Sequence, residues 1–209
     1  MRRFRLFIIL LIINGLLVFA HIFLRKQLGF FNLDKEGSLK AVYSGFQLLV
    51  TAGAAACIAY LVQEKTRWLW GFVSAVFFYL GLDEMMVIHE RIGFVVNRWT
   101  ALTGYWGESF NWLLYFSPAI AVSLIAYFFL FRVVWKEDRI VAVGVLLGTF
   151  FFAASVVLEM VGGMWLGSAL YQTLVILEES AQLIGESLFL VTFLHFLQKK
   201  FNHYYTLRI

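Results

Sequence analysis

The chain has one proline and one cysteine in 209 residues, and only 14% of it is charged. Soluble domains carry roughly 25% charge, so an ordinary water-soluble fold is excluded. A single proline excludes collagen-like and proline-rich linker architectures. A single cysteine, Cys57, excludes an internal disulfide and a paired-cysteine metal motif. Intrinsic disorder needs low hydrophobicity with high net charge, and neither is present. The net charge is a modest +4. The basic residues sit at the ends of apolar runs, as membrane flanks do, so no nucleic-acid partner is expected.

What is present is apolar. Hydrophobic residues make up 62% of the chain, and the mean hydropathy is +0.82. A helix needs about 20 apolar residues to cross a bilayer. Six stretches meet that length: Leu6–Leu24, Ala41–Val62, Trp68–Ile92, Phe110–Phe131, Ile140–Trp165 and Leu170–Leu197. No ten-residue alternating segments of the barrel type occur. The expected fold is all-α: one domain over residues 1–209, a bundle of six transmembrane helices with the lipid bilayer as its surroundings.

Arg2, Arg3 and Arg5 precede the first apolar run, as in a signal peptide. The run continues through Ile22–Leu24, so a retained first helix is expected. Eleven Lys and Arg flank one side of the six stretches and six flank the other, the latter including Lys40. The positive-inside rule then puts both termini in the cytoplasm.

Small residues recur at helical spacing, at Gly144 and Gly148 and at Ala52 and Ala56. Such steps let helices approach closely in lipid. They fit packing within the bundle first and a homodimer interface second. Pro118 is expected to kink or break the fourth stretch near its start. The tryptophans lie near the stretch ends and read as interface anchors. His21 and His195 read as interfacial, and His203 as solvated.

Seven acids fall inside the apolar stretches: Asp83, Glu84, Glu90, Glu159, Glu178, Glu179 and Glu186. No Lys or Arg lies mid-span to pair with them. A charge at the bilayer centre costs about 2.5–3.5 kcal/mol on insertion scales. The acids must therefore be protonated, bind a cation or face water. At about 1.5 Å per residue, Asp83 lies about 22 Å along the third stretch, and Glu186 about 24 Å below the outer end of the sixth. Asp83, Glu90, Glu159 and Glu178 then share the outer half, with Glu186 near the floor of the cavity. Leu-Asp-Glu and Leu-Glu-Glu both fall in that outer half, so they do not form the inverted repeat of some transporters.

His89 beside carboxylates suits zinc, manganese or iron. The expected metal ligands are Asp83, Glu84, His89, Glu90, Glu159, Glu178 and Glu179, with Glu84, Glu90 and Glu179 as candidate general bases. A bound divalent metal would make its water a nucleophile near neutral pH. Ser155 and Ser180 read as packing serines, not covalent nucleophiles.

The order Asp83-Glu84, His89-Glu90, Glu159, Glu178-Glu179 and Gly185 resembles an uncharacterised bacterial membrane family. That family has an Asp-Glu-x4-His-Glu motif on one helix, a Glu-Glu-x2-Glu-x2-Gly motif on the last, and an acid-rich outer loop. Asp34 and Glu36 resemble the loop, while Gln182 stands where the pattern has Glu. The resemblance implies a multi-pass protein of the bacterial cytoplasmic (inner) membrane, and no activity.

Three functions follow as expectations. The first is a metal-dependent hydrolase acting on an amphiphile from the outer side. The second is a small cation- or proton-coupled transporter. The third is a structural or partner-binding subunit. The first rests on convergence of Asp83 or Glu84, Glu159, and Glu178 or Glu179, with His89 or Glu90 above, Glu186 below, and Asp34 or Glu36 at the mouth.

Overall fold

A computed structural model describes residues 2–35, 37–100 and 108–206, excluding the side chains of residues 2, 3, 90, 96–100, 108–114 and 205. The described residues form seven α-helices and no strand. They are α1 (Arg2–Leu24), α2 (Leu39–Leu61), α3 (Glu64–Met86), α4 (Ile88–Thr100), α5 (Glu108–Glu137), α6 (Arg139–Met164) and α7 (Ala169–Thr206). A 3-10 turn, Gly29–Phe31, lies between α1 and α2.

Among the described residues, five helices are long and apolar enough to cross a membrane: Phe4–Leu24, Leu39–Leu61, Glu64–Met86, Tyr115–Glu137 and Arg139–Met164. α7 carries Glu178, Glu179 and Glu186 and is not among them, so the expected six crossings stand at five by this measure. The reason is its position. α7 packs against α1, α2 and α6, and its aromatic rings reach α3. A helix enclosed by its neighbours needs no apolar face toward lipid.

Toward the C-terminal end of α7 this packing is aromatic. Trp70 stacks on Phe196 at 5.3 Å between ring centroids and meets Phe193 edge-on at the same distance. Phe77 meets Phe189 and Phe193 edge-on. In lipid such contacts stabilise by close packing, because burial from water supplies no drive there. Trp70 is 1% exposed, which corrects its reading as an interface anchor. Trp68, Trp135 and Trp165 are exposed. Trp99, Trp106 and Trp112 lie outside the described side chains. His21 is also fully buried, not interfacial, and accepts from the Leu33 N–H at 2.9 Å.

Glycines set two helix crossings. A Cβ on Gly148 of α6 would stand 3.1 Å from the Phe189 ring of α7, and one on Gly185 of α7 would stand 3.1 Å from the Gly148 carbonyl. The Gly144–Gly148 step is thus occupied within the bundle. Gly45 of α2 and Gly81 of α3 form the second crossing. α5 runs through Pro118 as one helix.

The third expected stretch, Trp68–Ile92, is two helices rather than one. Val87 adopts left-handed backbone, φ 55° and ψ 45°, between α3 and α4. The Asp83 carboxylate accepts the backbone N–H of His89 at 2.7 Å, capturing a donor in the first turn of α4. That side-chain acceptor competes with the helical carbonyl and turns the chain.

Candidate functional site

Ser38 caps α2 by accepting the Ala41 N–H at 3.3 Å. The cap places Lys40 in the first turn of the helix, where it is 4% exposed. Its ammonium donates to Glu84 Oε1 at 2.7 Å and to Gln182 Oε1 at 3.0 Å. It also forms an ion pair with Glu179. Gln182 donates in turn to Glu84 Oε2 at 2.8 Å and to Glu186 Oε1 at 3.1 Å. Ser44, one turn along α2 from Lys40, donates to Glu186 Oε1 at 2.5 Å. Lys40, Glu179 and Glu186 are buried, and Glu84 and Gln182 are half-buried.

This cluster overturns the premise that no basic residue reaches the acids. One ammonium serves Glu84 and Glu179. With all three carboxyls ionised, two negative charges would remain in a low-dielectric interior. Uncompensated buried charge is costly, so the arrangement calls for protons or a bound cation.

A second polar group adjoins it on α1, α2 and α7. Asn14 Nδ2 donates to the Leu183 carbonyl and to Ser187 Oγ, each at 3.1 Å. Ser187 Oγ donates to Gln47 Oε1 at 3.2 Å. Asn14 Oδ1, Gln47 Nε2 and Glu186 Oε2 are buried and have no hydrogen-bond partner among the described residues. Below them stands the aromatic layer of Trp70, Phe77, Phe189, Phe193 and Phe196.

The remaining acids take other places. Asp83 turns from the Lys40 cluster and holds His89 Nδ1 at 2.6 Å. Adjacent helical residues point about 100° apart, so Glu84 faces α7 while Asp83 faces the start of α4. Glu178 lies within electrostatic reach of Glu179, Glu159 and Asp34. Asp34 accepts from the Tyr171 hydroxyl at 3.0 Å, and Arg25 bonds Gln172. The Glu90 side chain and Glu36 lie outside the described residues.

Among the expected ligands, the structure brings Glu84 and Glu179 together. It joins Glu186 to their cluster through Gln182, two turns further along α7 than Glu179. The first residues of α2 and α7 are not level. Ser44 is five residues into α2, yet it meets Glu186, 17 residues into α7. Among the described residues, no group of three or more His, Cys, Asp or Glu is arranged to hold a metal ion. Ser155 bonds the Phe152 carbonyl of its own helix, as a packing serine does.

Lys40, Ser44, Gln47 and Asn14 are the site residues that sequence reasoning left out, whereas Gln182 was already placed beside the acids of the last helix. A signal for the first three was present. Lys40, Ser44, Gln47 and Thr51 recur at helical period, a polar stripe on an otherwise apolar helix.

A family model described as a domain of unknown function, DUF8692, matches residues 5–197. No curated protein and no solved structure matches the chain. The match takes in every helix that contributes to the Lys40 cluster, and the chain belongs to the DUF8692 family.

Proposed function

We propose that this chain is a small carrier coupled to a proton or another small cation, with Glu186 as the group that takes up and releases it. The observation that carries the reading is the Lys40 cluster. The Lys40 ammonium lies between Glu84 and Glu179, where a divalent metal was expected. Glu186 keeps one buried carboxylate oxygen without a partner. A fixed cation beside an incompletely satisfied carboxyl suits exchange of a single positive charge. The aromatic layer below serves as the inner gate. In this reading α7 is a sixth, central crossing, both termini are cytoplasmic, and the membrane is the bacterial cytoplasmic membrane. The Asp-Glu-x4-His-Glu pattern on α3 and α4 belongs to the same proposal.

The test is flux in proteoliposomes carrying a trapped pH dye, with sodium, potassium or lithium gradients imposed in turn. The expected result is a cation-driven pH change that Glu186→Gln abolishes. Absence of any flux with every gradient, in both directions, overturns the reading.

The Asp83–His89 pair favours a second reading. A carboxylate on Nδ1 fixes the tautomer and orientation of an imidazole, as in metal-bound histidines. A zinc, manganese or iron site using His89 with Glu159 and Glu178 would support a hydrolase acting on an amphiphile. Metal analysis of the purified protein, before and after titration, tests it; no bound metal in either state removes it.

A further inference from the structure

We infer that Glu186, Asn14 and Gln47 form a binding site for one small monovalent cation at the junction of α1, α2 and α7. The inference rests on the carrier reading only in naming the coupling ion; the site itself stands on geometry.

Three side chains, each at least nine-tenths buried, keep a polar atom without a partner here. The Nδ2 of Asn14 is spent on Leu183 and Ser187, which leaves Oδ1 over. Glu186 Oε1 accepts from Ser44 and Gln182, which leaves Oε2 over. Gln47 accepts from Ser187 through Oε1, which leaves its amide nitrogen over. The three residues share one network: Asn14 and Gln47 both bond Ser187, which follows Glu186 on α7. Ser44 and Gln47 lie one turn apart on α2, and they meet Glu186 and Ser187, which are consecutive on α7. Each unsatisfied buried polar atom costs about 1–3 kcal/mol, and three in one place mark a site for something polar.

The oxygen chemistry selects the ligand. A half-turn of the Gln47 carboxamide lets Nε2 donate to Ser187 Oγ and puts Oε1 where the unpartnered nitrogen stood. Oxygen and nitrogen of an amide are assigned from their partners. The set is then one carboxylate and two neutral amide oxygens. Divalent cations take more carboxylate or retain several waters. Gln182 bonds both Lys40 and Glu186, so the ammonium is close enough to oppose a second positive charge. One charge on one carboxylate fits; two do not.

The experiment uses the purified full chain in detergent. Thermal unfolding is followed in sodium, potassium, lithium and choline chlorides at constant ionic strength and neutral pH. The expected result is a saturable rise of several degrees with one alkali cation over choline. Asn14→Leu should remove that rise. The variant also loses the Asn14 bonds to the Leu183 carbonyl and Ser187 Oγ, so its midpoint in choline should fall below that of the parent and serves as its own baseline. Equilibrium dialysis with the radioactive ion should give one site per chain. Equal midpoints in all four salts, with no bound ion on dialysis, overturn the proposal and assign the three atoms to internal water. Ion-specific stabilisation without flux keeps the site and removes the carrier reading. Flux without ion-specific stabilisation does the reverse.

Discussion

Lys40 and Glu84 meet at 2.7 Å because Gly45 and Gly81 have no side chains to hold α2 and α3 apart. A Cβ on Gly45 would stand 2.8 Å from the Gly81 carbonyl, and a Cβ on Gly81 would stand 3.0 Å from that of Gly45. Both are backbone atoms and cannot swing aside. Gly81→Ala should therefore spread the crossing and destabilise by about 1–3 kcal/mol. Gly53→Ala on α2 meets nothing within 4 Å. It should be neutral or gain up to about 1 kcal/mol from helix propensity. Unfolding of both variants in detergent checks the contrast, and equal effects would refute the account of the crossing.

Removing Lys40 should be costly. Lys40→Met leaves Glu84 and Glu179 buried without their shared cation. Breaking a buried pair by removing one partner costs about 3–5 kcal/mol. The triple variant Lys40→Met, Glu84→Gln, Glu179→Gln should recover most of that loss, because it removes the stranded charge as well. Failure of the triple variant to recover would show that Lys40 acts through packing.

Asp138 predicts a pH dependence at the opposite end of the bundle. Its Oδ1 accepts the N–H groups of Ile140 and Val141 at the start of α6, and its Oδ2 meets Lys199 of α7 at 2.7 Å. Burial opposes the charge, but Lys199 and the two amides outweigh it and hold the carboxyl below its ordinary 3.8. Its stabilising contribution is therefore complete above that value and is lost as pH falls through the lower folded one. Asp138→Asn keeps the cap but removes the Lys199 ion pair, so it should lower stability near neutral pH by up to about 1 kcal/mol. The gap from the parent should close on acidification below about pH 4. A gap that stays constant across that range would contradict the linkage.

Val87 is the only described non-glycine residue with positive φ. Left-handed backbone costs an L-residue about 1–2 kcal/mol. Val87→Gly should relieve part of that and raise the unfolding midpoint, whereas Val87→Ile should not. A lower midpoint for the glycine variant would mean that packing of the valine outweighs its backbone strain.

Most of the helices were legible from apolar length alone, since lipid demands about 20 such residues whatever the neighbours do. The break at Val87 was not. A β-branched residue carries no turn signal, and the turn depends on a side-chain bond from Asp83 to His89. The acids were legible as a group, because charge is rare in these helices. Their partner was missed because Lys40 sits at a helix start and was counted with the flanks. The split between Asp83 and Glu84 was also hidden. Helical spacing fixes the angle between two neighbours but not which of them faces α7.

The enclosure of α7 bears on how the chain is made. α7 leaves the ribosome after α1, α2 and α6, the helices it packs against, and it carries Glu178, Glu179 and Glu186. Its docking must await a groove between α1, α2 and α6, with Lys40 already waiting in its wall. A nascent chain that stops after α6 would leave that ammonium with Glu84 alone, without Glu179 or Gln182. Until α7 docks, the Lys40 site stays half assembled.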